Sequence, residues 1–251
     1  MAIQKTEAVL LRRRDLRETS LIVTFYTRDF GKIKGIIRGV RGHRGVFGGA
    51  SLELFALDQI VFYERRRSDI CTISQFDLLE FFDPVRSSLE KLAHAAYMVE
   101  LLDSVTSDND KSVDIFDLLV ASLRLLSGDS SPKRVARIFE IKLLELLGIM
   151  PRLDLCGGCG AQGEGGSRFS LKNGGYLCKA CSAIDKNALP ILAGTARFME
   201  QVRILPFEKA SRIRVALAVG RELESLLRKL VDYHVDRRLN TVRFLHEIER
   251  K

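Results

Sequence analysis

The sequence predicts an α+β multidomain protein, with a small N-terminal β-barrel followed by an α-helical domain that contains an inserted four-cysteine module. Three observations support this fold class. The first 80 residues contain about five short runs rich in β-branched and aromatic residues, without helical periodicity. From Asp83 onward, apolar residues recur at helical spacing. Four of the five cysteines fall within residues 156–181 in a regular pattern.

The N-terminal strands are predicted from runs of β-forming residues separated by turn signals. After a first run that begins at Ala8, we place strands at residues 19–27, 32–40, 52–63 and 68–75. The sequence Arg28-Asp29-Phe30-Gly31 is typical of a turn with Gly31 in a left-handed conformation. Short strands in this number favour a small closed barrel.

Alternation within the strand at residues 32–40 assigns its side chains to two faces. Lys32, Lys34 and Arg38 have the same parity and should project from one face. Ile33 and Ile37 should point into the core. Gly35 lies between them and Gly39 follows Ile37, and glycine at such positions permits close approach or a bend at the point of barrel closure.

Basic residues are concentrated at the two ends of the chain. Residues 1–50 contain eleven Lys or Arg against four Asp or Glu, residues 51–150 contain eleven against seventeen, and residues 201–251 contain twelve against seven. Such polarisation is typical of a nucleic-acid surface, although a solvated face is the usual role of a charge run. The candidate nucleic-acid-binding residues are Lys32, Lys34, Arg38, Arg41, Arg44, Arg12, Arg13 and Arg14.

The helical part begins with a capping-box pattern, Ser87-Ser88-Leu89-Glu90. A second helix is predicted at residues 114–126 and closed by Gly128. A third begins at Pro132 and extends to Gly148, and residues 193–205 and 211–236 form two more, the last with Val215 as an apolar position.

Three cations crowd the first turns of the third helix, where positive charge is unfavourable. They are Lys133, Arg134 and Arg137. One interpretation is a site for an acidic peptide or a phosphate. The alternative is that these long side chains are simply exposed.

The cysteines Cys156, Cys159, Cys178 and Cys181 form two C-x2-C knuckles separated by eighteen residues. This spacing predicts one zinc ion held by four thiolates, and two disulfides or four free thiols are the alternatives. Four cysteine ligands close the coordination shell, and no histidine lies in a metal-ligand motif, so a structural ion is favoured over a catalytic one. Glycine-rich punctuation between the knuckles predicts a small β-hairpin.

Several classes of protein are disfavoured by the sequence. No apolar run approaches membrane-spanning length, and we expect no secretory signal. Zinc cysteines with a lone Cys71 suggest a reducing cytoplasm. No Gly-rich phosphate loop, His-x-Glu motif or carboxylate cluster points to a nuclease or deaminase, so we expect no enzyme activity.

The chain resembles the RecO family of bacterial DNA repair proteins along almost its whole length. Two N-terminal signatures carry the resemblance, Glu18-Thr19-Ser20 and Thr27-Arg28-Asp29-Phe30-Gly31-Lys32. A central motif, Phe139-Glu140-Ile141-Lys142-Leu143-Leu144, precedes Gly148, Pro151 and the first knuckle. The strand opening at Glu7 and the segment at residues 239–245 are also similar.

The resemblance implies an OB-fold over residues 1–80, a helical domain over 81–150 and 185–251, and a zinc module over 151–184. It implies a recombination mediator associated with the cytoplasmic nucleoid, which binds single- and double-stranded DNA and anneals complementary strands. Implied partners are RecR, with which the protein helps to load RecA onto gapped DNA, and the acidic tail of single-stranded DNA-binding protein. The alternative is a zinc-stabilised adaptor that binds an acidic protein tail, with DNA binding secondary.

Overall fold

The computed structural model describes residues 3–16, 18–39, 52–65, 68–162, 168–235 and 237–249. The chain forms two compact units. The first comprises Met1–Pro132 and Leu239–Lys251, and the second comprises Lys133–Arg238. The three-part division expected from the sequence stays a prediction, since contacts group the chain into two units.

The first unit contains a closed five-stranded barrel. Its strands are β1 (Ile3–Leu16), β2 (Ser20–Thr27), β3 (Gly31–Ile37), β4 (Leu57–Arg65) and β5 (Ser68–Glu80). They follow the order β1-β2-β3-β5-β4, and β4 pairs back onto β1. All pairings are antiparallel except that between β3 and β5. This arrangement confirms the predicted OB-like barrel.

Strand alternation fills the barrel with apolar side chains. Val23 and Phe25 of β2, Ile33 and Ile37 of β3, and their counterparts on the other strands form one buried cluster. Gly35 has no room for a side chain, because a Cβ there would lie 2.7 Å from Cγ1 of Ile73 on β5. The close approach predicted for this glycine is therefore confirmed.

In the described part of the first unit, four helices accompany the barrel: α1 (Asp83–Arg86), α2 (Leu89–Val105), α3 (Val113–Ser127) and α8 (Asn240–Glu249). The capping-box prediction was wrong by one residue. Ser88 is the N-cap of α2 and accepts a hydrogen bond from the Lys91 N–H, whereas the Ser87 hydroxyl bonds to the Pro84 carbonyl. Gly128 ends α3 as predicted, but with an extended backbone rather than a left-handed one.

Along the described residues of the second unit, one helix precedes a small sheet and three helices follow it. Its elements are α4 (Pro132–Leu146), β6 (Arg152–Cys156), β7 (Arg168–Ser170), β8 (Gly175–Leu177), β9 (Leu189–Pro190), α5 (Ala193–Ile204), α6 (Phe207–Ala210) and α7 (Leu217–His234). The β7–β8 pair confirms the predicted hairpin, and β6 and β9 extend it to a sheet of order β6-β8-β7-β9.

The predicted helix at residues 211–236 was wrong at its start. The helix begins only at Leu217, and residues 213–216 have no regular structure. Val215, which was assigned to its apolar face, is 38% exposed. Among the described helices, none combines the length and the apolar character needed to cross a membrane.

Asp58 of β4 is a buried carboxyl group in the barrel wall. It is 1% exposed and pairs with Ala8 of β1 and Leu78 of β5. Its Oδ2 has no hydrogen-bond partner among the described residues. Burial, with a smaller repulsion from Asp77, raises the pKa of Asp58 from 3.8 to about 7.

Replacing Asp58 by Asn should stabilise the protein at alkaline pH. The folded state disfavours the ionised carboxyl group, so the stability that its neutral form contributes is complete below about pH 4 and is lost as pH rises through about 7. The Asn side chain cannot ionise. We expect the unfolding temperature of Asp58→Asn to exceed that of the wild type by several degrees near pH 8, with the gap closing in acid.

The exposed Asp129 provides a control, because Asp129→Asn makes the same substitution at a position that is not buried. Thermal unfolding monitored by circular dichroism across this pH range measures both. A variant at Asp58 that is less stable than the wild type near pH 8 would mean that the ionised carboxylate has a stabilising partner.

Candidate metal centre and nucleic-acid surface

The four cysteines predicted as metal ligands converge in the second unit. Their sulfur atoms all lie within 4.8 Å of one another. Cys156 ends β6, and Cys178 directly follows β8, so the pairing of these two strands brings one residue of each knuckle together. Cys159 and Cys181 follow within their own tight turns, closed by backbone bonds from Gly160 to Cys156 and from Cys181 to Cys178.

The first knuckle depends on its glycines. A Cβ on Gly158 would lie 3.0 Å from both Cβ and Sγ of Cys181, so a side chain there would push the knuckles apart. Gly160 has φ +72°, a left-handed conformation that glycine adopts without strain. The two C-x2-C pairs can therefore approach each other because glycine has no side chain at this turn.

The cysteine chemistry fits a divalent cation. The sulfur of Cys156 accepts backbone N–H bonds from Cys178 at 3.3 Å and Gly158 at 3.4 Å. The bond from Cys178 is the main reason that the pKa of Cys156 falls to about 6. The thiolate is the species that binds metal, and four sulfur atoms within 4.8 Å of one another suit zinc. Four protein ligands leave no position for substrate water.

The four-cysteine cluster is linked to helices of its own unit. The carboxylate of Glu200 on α5 accepts the N–H of Leu153 on β6 at 3.0 Å. Glu200 also pairs with Arg203, which reaches Glu145 of α4 at 2.7 Å. The cysteines thus hold β6 and β8 beside a charged network that joins α4 to α5.

The outer face of β1, β2 and β3 carries basic side chains from two strands. The pairing registers place Arg12 opposite Thr24 and Thr24 opposite Lys34, so the three form one row across the sheet. Arg14 lies on the same face in the next row, opposite Ile22. The shared middle strand β2 therefore joins Arg12 and Arg14 of β1 to Lys34 of β3 on one face.

Lys32 has the predicted face but is buried there. It is 7% exposed, and its Nζ donates to the carbonyl oxygens of Asp103 at 2.7 Å and Thr106 at 2.6 Å. These acceptors lie at the C-terminal end of α2. We therefore remove Lys32 from the candidate DNA-binding residues, because its ammonium group is directed into the packing between α2 and the barrel.

The other candidate residues of the barrel differ in whether their side chains already have a partner within the protein. Arg12 pairs with Asp103. Arg13 donates to the Leu52 carbonyl at 2.6 Å. Arg14 and Arg38 are exposed and have no ion-pair partner among the described residues.

Lys34 is 47% exposed at its side chain and pairs with Asp108 in the loop that follows α2. An exposed pair of this kind contributes at most about 1 kcal/mol, so a phosphate can replace the carboxylate. Arg41 and Arg44 lie outside the described residues. We call Arg14, Lys34 and Arg38 the open basic face.

The candidate partner-binding cations on α4 have partners within the second unit. Lys133 lies 3.2 Å from Glu224. Arg137 is 6% exposed and donates to Glu140 at 2.7 Å. Arg134 is half-buried, with its Nη1 3.4 Å from the Ser211 carbonyl. Of the three, Arg137 does not project from the helix, because its charge is buried against the Glu140 carboxylate one turn along.

The acidic residues that partition the basic face were missed by the sequence reasoning. Asp103 and Asp108 come from a segment whose net charge is negative, and they lie 71 and 74 positions along the chain from their respective partners, Lys32 and Lys34. The only sequence signal was the acidic run Asp108-Asn109-Asp110 after a predicted helix.

Comparison with known proteins identifies the family. The model described as "Recombination protein O N terminal" matches residues 1–82, and that described as "Recombination protein O C terminal" matches residues 86–243. The DNA repair protein RecO of Anaeromyxobacter dehalogenans (strain 2CP-C) is 37% identical over 247 residues, which cover 97% of this chain and 96% of that protein. The protein of the same name from Syntrophus aciditrophicus (strain SB) is 32% identical over 253 residues, covering 99% and 97%. The chain therefore belongs to the RecO family of DNA repair proteins.

Proposed function

We propose that this chain binds single- and double-stranded DNA through the open basic face and anneals complementary strands. The observation that carries the proposal is the joining of Arg14 and Lys34 on one outer face of an OB-like barrel, with Arg38 directly after β3. Barrels of this kind bind nucleic acid with strands β2 and β3. Membership of a DNA repair family supports the same ligand.

The proposed mechanism is charge neutralisation. Lys and Arg contacts to phosphates release condensed counterions, which supplies affinity without sequence preference. Two strands that are both neutralised on a basic surface repel each other less and can pair. We further propose that the chain acts with RecR to help load RecA onto gapped DNA, and that it does so without turning over a substrate.

The alternative function is an adaptor in which Lys133, Arg134 and Arg137 take the acidic tail of single-stranded DNA-binding protein. The carboxylates of Glu224 and Glu140 already accompany two of these cations. The geometry therefore favours DNA binding as the primary activity. Titration of a fluorescent acidic peptide against the wild type and an Arg134→Ala variant tests the adaptor role.

We also propose that the four cysteines hold one structural zinc ion. Its support is the closed set of four sulfurs and the N–H bonds to Cys156. In this proposal the ion maintains the β6–β9 sheet between α4 and α5, and takes no part in chemistry on DNA.

The affinity of the open basic face for DNA should depend on salt concentration. Alanine at Arg14, Lys34 and Arg38 together should weaken binding to single strands and duplex alike, because each loses a phosphate contact. For single strands the slope of log affinity against log salt should become shallower by about 2. Fluorescence anisotropy at several salt concentrations measures both quantities.

A matched control removes three other cations of the first unit: Lys5, Arg124 and Arg243. Arg124 and Arg243 also take part in exposed ion pairs, so the control disturbs comparable surface interactions. We expect a salt slope close to that of the wild type. If both triple variants lost the same DNA affinity, the loss would be explained by net charge alone. The open basic face would then not be the DNA-binding site.

The proposed zinc ion should be measurable by its content in the protein and by its effect on stability. Purified wild-type protein should contain about one zinc ion per chain, and Cys178→Ser should lose the ion and unfold at lower temperature, because metal binding of this type contributes roughly 10–16 kcal/mol to folding. Elemental analysis and thermal unfolding measure the two effects. DNA affinity at the barrel should persist below the unfolding temperature.

Cys71→Ser is the control, since Cys71 lies in the barrel core and should not affect zinc content. Two results would count against the structural role of the ion: unchanged stability after metal loss, or a folded Cys178→Ser protein that no longer binds DNA.

A further inference from the structure

A cavity of about 380 Å³ opens at one end of the barrel, where the β2–β3 turn lies beside the start of β5. This volume is within the range of small-ligand sites. Ile33, Phe62 and Cys71 form apolar walls and are almost fully buried. The half-buried Phe30 lines the same cavity. The site therefore has the aromatic and aliphatic surface that a flat ring requires.

The Phe30 ring is held in place before any ligand arrives. The backbone N–H of Phe30 donates to the Thr27 hydroxyl at 3.0 Å, and that hydroxyl donates to the Gly31 carbonyl at 2.8 Å. Gly31 has φ +64°, and a Cβ there would lie 2.1 Å from the Asp110 carbonyl oxygen. The Phe30 and Phe62 rings meet edge to face with centroids 5.1 Å apart. A fixed ring loses little conformational entropy on binding.

The polar groups around the cavity balance in charge. Lys34 and Lys111 contribute two cations, and Asp29 and Asp69 contribute two carboxylates. The Asp69 carboxylate has no hydrogen-bond or ion-pair partner among the described residues, so it can accept from a ligand. A nucleobase combines flat faces with an edge of donors and acceptors, and it suits such a lining. An acidic peptide or a free phosphate would meet two carboxylates without an excess of positive charge.

Lys34 connects this cavity to the open basic face, because it borders the cavity and also belongs to that face. A strand whose phosphates contact the face passes the cavity mouth. Only an unpaired base can enter, since a duplex would have to extrude one at the cost of stacking and pairing.

We propose that this cavity takes one unstacked base of single-stranded DNA. The inference rests on the proposed DNA binding and assigns to Phe30 the contact that distinguishes a single strand from a duplex. Base–aromatic stacking tolerates every base, so the cavity adds affinity for single strands without sequence preference.

The test is Phe30→Leu, which removes the aromatic face but keeps an apolar side chain against the core. The affinity for a single-stranded oligonucleotide should fall roughly 5- to 100-fold, while the affinity for the matching duplex stays within about twofold. Phe244→Leu is the control, because Phe244 is an exposed ring on α8 of the same unit. That variant should bind both ligands as the wild type does.

A second measurement uses the wild-type protein alone. A single strand of the same length that carries abasic sites should bind more weakly than the intact strand, and Phe30→Leu should remove that difference. Equal binding of abasic and intact strands by the wild type would overturn the inference, as would equal losses for strand and duplex in Phe30→Leu. So would an acidic peptide that competes through Phe30 while affinity for single strands is unchanged. If the wild type bound neither strand nor duplex, the proposed function would fall as well.

Discussion

The buried ammonium group of Lys32 ties the end of α2 to the outer face of the barrel. A charge removed from water requires close partners, and the carbonyl groups of Asp103 and Thr106 supply them. This contact covers one part of the β1–β2–β3 face, including the fully buried Tyr26, and leaves Arg14 and Lys34 open. The loop of residues 106–112, which follows α2, places Lys111 at the rim of the barrel cavity. The position of α2 therefore determines which cations of this face stay open for the proposed DNA contact.

The two units are stabilised in different ways. The proposed DNA-binding surface belongs to the first unit, and the proposed structural metal site belongs to the second. The barrel closes on itself around a continuous apolar core, so its surface is free to carry unbalanced charge. The small sheet of the second unit has strands of two to five residues, which cannot bury enough surface alone. The ion pairs made by Glu200 and Arg203 compensate in part, and the four convergent cysteines would add the energy of metal binding. A metal at the cysteines would thus be needed for folding and would be distant in role from strand recognition.

Local patterns predicted what depends on local geometry. The cysteine spacing predicted the convergence of four sulfurs, and strand parity assigned Lys32 and Lys34 to one face. Neither pattern contains long-range information, so the burial of Lys32 by residues 71 and 74 positions away was missed. The same limit concealed the row that joins Arg12 to Lys34, because the register of β1 shifts at a bulge between Leu10 and Arg12. Helix boundaries failed where apolar residues continue beyond a helix, as at Val215, or where two serines compete for one cap, as at Ser87 and Ser88.

The central claim is that DNA contacts the open part of this face and not the part that α2 covers. Acetylation of lysine amines, read by mass spectrometry with and without saturating single-stranded DNA, tests it directly. Lys34 should react in the free protein and be protected by DNA, Lys5 should react in both states, and the buried Lys32 should react in neither. A Lys34 that stays reactive under saturating DNA, with protection confined to lysines of residues 133–238, would contradict the account.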